Sequence, residues 1–351
     1  MIFHSPPAFR PAPLLRSGHA QTLAGVYLPG GRAPNPSLTR QHIISLADGD
    51  AVVLHEDRPA SWWTGDRTAI LIHGLAGSHQ SGYMQRTAAR LNEAGFCTFR
   101  YDMRGCGAAY KLAQHPAHSG RVSDLLAALA FIEQRCPSSP VAAFGFSLGG
   151  NLLLNTLAEI GSAAGIPLEM AVALCPPIDL VQCSGFLKSG RWRLYDRHFI
   201  AALMQTLVDR RKNFPDSMAI QFSRKPTSLW DFDDAVTAPL SGYKCAEAYY
   251  RATSPIGRLG AIHIPTLIFT AANDPLVPAA MFSEAKLGPG VSLQIASGGG
   301  HLGFVSDGKQ DADRRWLDWR LVEWAQALGR NGSKSVPSEV SQACARNNAH
   351  R

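Results

Sequence analysis

The stretch that decides the fold is Val141-Ala142-Ala143-Phe144-Gly145-Phe146-Ser147-Leu148-Gly149-Gly150-Asn151-Leu152-Leu153-Leu154. It opens as a short apolar strand and closes as a leucine-rich helix, with a very tight turn between. Ser147 sits at that turn, Gly145 two residues before it and Gly149 two after. G-x-S-x-G between a strand and a helix is a nucleophile elbow. Such a turn strains the serine backbone and lifts the hydroxyl clear of the sheet. Glycine is required on both sides, because a side chain there would strike the strand and helix packed around the turn. The helix that follows points free N–H groups and its positive dipole end toward charge developing at the serine.

Outward from the elbow the chain repeats a strand-then-helix rhythm. Thr68–Ile72 reads as a buried strand running into His73-Gly74-Leu75-Ala76-Gly77-Ser78, and a helix follows with Met84, Ala88 and Leu91 on one face, closed by Gly95. Phe96–Asp102 is the next strand. Ser123 is placed to cap a helix carrying Leu125, Leu129 and Ile132. Strands at 170–174, 266–270 and 291–295 complete the series, and a last helix places Leu317, Leu321, Trp324 and Leu328 on one face before Gly329. Ahead of them, Ile43-Ile44 and Val52-Val53-Leu54 flank an Asp48-Gly49 turn, which predicts a hairpin. The expected architecture is α/β: a mostly parallel sheet with helices on both faces.

Three segments break the rhythm. Residues 1–36, rich in proline, glycine and arginine, read as an extended arm wrapping the core domain of 37–330. Residues 177–255 carry aromatics, charges and helical stretches without alternation, and are expected to form a helical cap insertion. Residues 331–351 are polar and aperiodic, and read as a disordered tail.

Composition narrows the function. The 351 residues are 46% hydrophobic and 17% charged, which is ordinary for a globular protein in solution. The net charge of +7 is dispersed in short runs such as Arg210-Arg211-Lys212, without the basic tract of a nucleic-acid arm, so no nucleic-acid partner is expected. Seven cysteines, with no C-x-x-C pair, argue against a disulfide framework or structural zinc and for free thiols in a reducing, cytoplasmic compartment. His115 and His118 form an H-x-x-H without an accompanying carboxylate or cysteine cluster. No metal or cofactor is expected. The N-terminus lacks a secretory signal, and no run approaches the ~20 apolar residues of a transmembrane helix. Transient contact with a membrane surface remains compatible with the composition.

In parallel sheets, ligands bind beyond the carboxyl ends of the strands. Ser147, His73, Asp274 and His301 all follow predicted strands and so converge on one edge. A serine hydroxyl needs a base to take its proton, and the base needs a group that fixes its tautomer. His301, in the glycine turn after the last strand, is the candidate base. Two acids compete: Asp274, 27 residues before His301, and Asp179, at the end of the strand before the insertion. Asp274 is favoured because one helix and one strand separate it from His301, which suits neighbouring strand ends. The oxyanion would be bound by the backbone N–H groups of Leu148 and Leu75, the latter in a loop loosened by Gly74 and Gly77. His73 is expected to support that loop. Serine at 147, where an ester-forming aspartate would be needed, argues against dehalogenase and epoxide-hydrolase chemistry and favours acyl transfer.

The ordered set Leu15-Arg16-Ser17-Gly18-His19-Ala20-Gln21-Thr22-Leu23, His73–Ser78, Arg104–Gly107, Gly145–Asn151, Asn273-Asp274-Pro275 and Gly300–Phe304 resembles the YheT-like branch of the α/β-hydrolase superfamily. That branch is related to mammalian lipid-active α/β-hydrolase-domain proteins and to fungal medium-chain ester synthases/esterases. The resemblance runs from about residue 10 to 328. It implies the α/β-hydrolase fold and a Ser-Asp-His triad at Ser147, Asp274 and His301. It also implies hydrolysis of short- to medium-chain acyl esters or acylglycerols. Ala108-Ala109 after Arg104–Gly107 depart from the pattern, as does the lack of the membrane anchor with which animal members begin. The expected function is a serine carboxylesterase acting on a small-molecule acyl ester. Its alternatives are an alcohol O-acyltransferase using the same acyl-enzyme and a non-catalytic binding protein on a hydrolase fold.

Overall fold

The apolar runs flanking the elbow fold as one sheet. The computed structural model describes residues 3–28, 30, 32–161, 167–215 and 224–327. Its strands are β1 (Thr39–Ser45), β2 (Ala51–Asp57), β3 (Thr68–Ile72), β4 (Cys97–Asp102), β5 (Val141–Phe146), β6 (Leu168–Leu174), β7 (Thr266–Ala271) and β8 (Val291–Ala296). They lie in the order β1-β2-β4-β3-β5-β6-β7-β8. The hairpin expected around Asp48-Gly49 is the antiparallel pair β1–β2, and β2 is antiparallel to β4. All other neighbours run parallel. β3, β5 and β7 are buried at every position, as expected of parallel strands covered on both faces.

Side-chain alternation divides the core into two layers. Ala69 and Leu71 join one apolar cluster with Met84 and Leu91 of α2 (Gly82–Glu93) and with Trp316 and Leu321 near the C-terminus. Ile70 and Ile72 join the other, with Leu125 and Ile132 of α3 (Val122–Arg135) and Leu153 of α4 (Leu148–Ile160). α4, the helix after the elbow, is buried on nearly every side, which is why its sequence carries no charge before Glu159.

α3 begins at Val122, with Arg121 as its cap residue and no side-chain cap hydrogen bond. Ser123 is therefore already inside the helix, its hydroxyl turned to the Asp124 carboxylate at 3.4 Å. Between β6 and β7 the described residues form helices and no strand: α5 (Leu180–Leu187), α6 (Arg193–Asn213), α7 (Leu229–Phe232), α8 (Ala238–Leu240) and α9 (Ala246–Thr253). The closing helix is α10 (Trp316–Ala325); Leu328, Gly329 and the tail of 331–351 lie outside the described residues.

The N-terminal arm departs from an extended path. Gly18–Tyr27 is helical (α1), with the Ser17 hydroxyl accepting from the Ala20 N–H at 3.1 Å. The Pro- and Gly-rich flanks hide this helix in the sequence; its stability comes from what it packs on. Gln21, fully buried, donates to the carbonyls of Leu15 (2.6 Å) and Val305 (3.0 Å) and accepts from the Val305 N–H (2.7 Å). The arm is thereby stitched to the segment after β8.

Candidate active site

The elbow has the geometry its glycines demand. Ser147 has φ 52° and ψ −118°, and its N–H donates to the Leu174 carbonyl at 2.8 Å. A Cβ on Gly145 would lie 2.5 Å from the Gly149 carbonyl oxygen, and one on Gly149 would lie 2.4 Å from the carbonyl oxygens of Ile72 and His73. Both contacts are backbone, so neither could yield without moving the turn. Backbone packing and backbone hydrogen bonds together fix the serine in a conformation that non-glycine residues avoid.

Three strand ends meet there. Ser147 Oγ lies 2.9 Å from His301 Nε2, and His301 Nδ1 lies 2.8 Å from Asp274 Oδ2. The other carboxylate oxygen, Asp274 Oδ1, accepts from the N–H groups of Leu276 (2.8 Å) and Val277 (3.0 Å). A carboxylate that accepts on both oxygens leaves His301 to carry its proton on Nδ1 and to present Nε2 as the acceptor for the serine hydroxyl. Asp274 and His301 are both buried. Asp179, the competing acid, is occupied elsewhere: it caps α5 by accepting from the Gln182 N–H at 3.0 Å.

The arm helix holds both loops. A Cβ on Gly18 would meet the Asn273 carbonyl oxygen at 1.8 Å, and one on Gly300, at φ 58°, would meet the Gly18 carbonyl oxygen at 2.3 Å. Thr22 Oγ1 accepts from the His301 N–H at 2.9 Å and donates to the Gly18 carbonyl at 2.8 Å. Asn273 Oδ1 accepts from the Gly300 N–H at 3.0 Å, tying the acid loop to the histidine loop. Thr22, Gln21 and Asn273 thus position the base. Sequence reasoning did not find them, because their roles rest on contacts across as many as 284 positions.

The loop after β3 is braced from below. The buried His73 faces the Gly74 carbonyl with Nδ1 (2.7 Å) and accepts from the Met103 N–H with Nε2 (3.3 Å). Burial lowers its pKa, so it stays neutral in that tautomer. Tyr83 Oη accepts from the Gly74 N–H at 2.9 Å. The N–H groups of Leu75 and Leu148 have no hydrogen-bond partner among the described residues, and both residues wall the space beside Ser147.

Two hollows open from the serine. One is a groove of about 520 Å³ between α1, the 74–83 loop and α6, with Ser147 and His301 in its floor. The other, of about 100 Å³, runs under the helices of the 177–255 segment and is lined by Leu180, Leu187, Phe199, Leu203, Leu229 and Leu276. At its wall Asp233 accepts from Tyr250 Oη (2.7 Å) and Thr237 Oγ1 (2.6 Å). Burial outweighs those hydrogen bonds and pushes the carboxyl up to about 6.

Against known proteins, the family model described as "alpha/beta hydrolase fold" matches residues 69–307. The chain belongs to the α/β-hydrolase family. Its similarity to YheT of Escherichia coli (strain K12) is 30% identity over 285 residues, 80% of this chain and 83% of that one. Phospholipase ABHD3 of Homo sapiens is 27% identical over 329 residues, 90% of this chain and 78% of its own. Among solved structures, the Pyrococcus furiosus esterase Pf2001 matches at TM-score 0.52 and 16% identity, covering 86% of this chain and 99% of that one; that likeness speaks to the fold. This α/β-hydrolase therefore falls in the esterase- and lipase-type YheT-like branch.

Other polar clusters in the hydrolase are spent on one another. His55 Nε2 and His79 Nδ1 both bond Asp102 Oδ2, at 3.0 and 2.6 Å, and the Ala108 N–H donates to the same oxygen at 2.8 Å. His115 of the H-x-x-H bonds Asp50 at 2.9 Å, whereas His118 accepts from the Gly120 N–H at 3.0 Å, so the pair does not converge. The six cysteines among the described residues are unbridged. No helix among the described residues is long and apolar enough to cross a membrane.

Proposed function

We propose that this hydrolase is a serine esterase that cleaves short- to medium-chain carboxylic esters or acylglycerols through an acyl-serine intermediate. The observation that carries the proposal is the unbroken hydrogen-bonded line from Ser147 Oγ through His301 to Asp274, with steps of 2.9 and 2.8 Å. His301 Nε2 takes the hydroxyl proton as Ser147 Oγ bonds to the ester carbonyl carbon. Asp274 holds the resulting imidazolium, and the N–H groups of Leu75 and Leu148 receive the negative oxygen. When the tetrahedral centre collapses, the ester C–O bond breaks and His301 returns its proton to the departing alkoxide. A water then repeats the sequence on the acyl-serine, releasing acid and free serine.

In this proposal residues 177–255 act as a cap whose apolar inner face shapes the acyl site. The leucine-lined hollow under that segment supports an acyl chain over a polar moiety as its occupant. Esters of p-nitrophenol from acetate to palmitate test this. Turnover is expected to peak at short or medium length and to fall for palmitate. A flat profile, or no turnover of any member by a folded sample, would count against the acyl-pocket assignment.

A further inference from the structure

Arg210, on α6, is buried, 5% exposed. No hydrogen bond or ion pair joins its side chain to any described residue, which distinguishes it from Arg86, Arg100, Arg104 and Arg320, each paired with a carboxylate. Asp50, a carboxylate whose field reaches it, is already committed to Arg104 and His115. Of the other groups facing it, the Arg121 guanidinium repels it, and the Cys106 thiol is pushed up to about 12 by burial and stays neutral. The guanidinium rests against Gly105, where a Cβ would come 2.3 Å from Nη2. It lines a cavity of about 70 Å³ that shares the walls Leu75, Ala117, Leu148, Leu203 and Thr237 with the hollow containing Ser147.

A buried, unpaired guanidinium is costly, and a ligand oxyanion is the partner that best satisfies its planar fork of donors. The volume fixes the size of that partner. A water needs roughly 10–15 Å³ of such space, so the cavity holds a group of a few heavy atoms and excludes a sugar.

We propose that Arg210 is an anion seat: the ester taken by this enzyme carries a compact oxyanion, a carboxylate or a phosphoryl group, that docks on the guanidinium in the cavity adjoining the hollow of Ser147. The inference rests on the esterase proposal for the identity of the ligand as an ester, but its test is read by binding and does not need turnover. Arg210 is then a specificity-determining residue that contacts the non-reacting end of the substrate.

The test is calorimetric titration of the full chain carrying Ser147→Ala with monoethyl adipate and with ethyl hexanoate, which differ only in a terminal carboxylate, and with inorganic phosphate. Monoethyl adipate is expected to bind at least about tenfold tighter than ethyl hexanoate, as a charge-assisted buried contact should. Adding Arg210→Met should remove that preference, and Arg210→Lys should keep part of it. Arg210→Gln replaces the Met variant if the latter loses its melting transition. Phosphate binding lost with Arg210, without a carboxylate preference, also supports the seat and assigns it to phosphoryl-bearing esters. Neither ester favoured together with no phosphate binding that depends on Arg210, or a preference that survives Arg210→Met or Arg210→Gln, overturns it. Wild-type turnover, measured separately, keeps the two proposals apart: an anion preference without hydrolysis sinks only the esterase proposal, and hydrolysis of both esters without anion preference sinks only the seat.

Discussion

Ser147→Ala is expected to lower kcat on a medium-chain p-nitrophenyl ester by about 10⁵–10⁶-fold, with KM changed little, because the nucleophile and its base act as a unit. The substitution removes one oxygen from a position fixed by backbone packing, at φ 52° between Gly145 and Gly149. The turn does not depend on the hydroxyl, so the fold and its melting temperature should be retained. His301 would keep its bond to Asp274 at 2.8 Å and lose only its bond to the serine. Residual activity reflects the N–H groups of Leu75 and Leu148, which still receive a developing oxyanion from attacking water. A loss below about 100-fold, in a range usual for a supporting group, would mean that another residue performs the attack.

Asp274→Asn should cost about 10⁴-fold in kcat near neutral pH with the structure intact. The orientation of the new amide is dictated by the loop. Asp274 Oδ1 accepts two backbone N–H groups, from Leu276 and Val277; an asparagine must place its carbonyl oxygen there and turn its NH₂ toward His301 Nδ1. An NH₂ can only donate, so His301 is driven to carry its proton on Nε2, where it faces Ser147 Oγ and cannot accept. The prediction is checked by kcat against pH together with the imidazole tautomer from nitrogen chemical shifts. A tenfold loss or less, or a tautomer unchanged from the wild type, would contradict it.

The sheet and the three meeting residues were legible in the sequence because each depends on local grammar. Short apolar runs such as Thr68–Ile72 and Val141–Phe146, alternating with helical segments, read as buried parallel strands, and the turn at Ser147 announces itself by the glycines that backbone contacts require. The convergence of serine, acid and histidine followed from strand ends sharing one edge. Asp274 over Asp179 was an inference from spacing, and the hydrogen bonds give the reason: Asp179 belongs to the start of α5.

What the sequence hid depends on partners far along the chain. The helix Gly18–Tyr27 has proline-rich flanks and a weak apolar face, and it exists because Gln21 and Thr22 bond to the loop around His301. Ser123 looked like a cap, yet α3 starts one residue earlier, at Val122, and leaves it exposed on the first turn. Arg210 sat in a run with Arg211 and Lys212 that reads as a solvated basic face. The helix instead points this one guanidinium beneath Gly105, and nothing in the run distinguishes it from its neighbours.

The most direct measurement is intact mass of the protein after exposure to an organophosphonate, followed by location of the adduct. One phosphonyl group per chain on Ser147, absent after His301→Ala or Ser147→Ala, is the expected result. An unmodified mass from a folded sample, or an adduct on any other residue, would contradict the claim that Ser147, His301 and Asp274 form one working line.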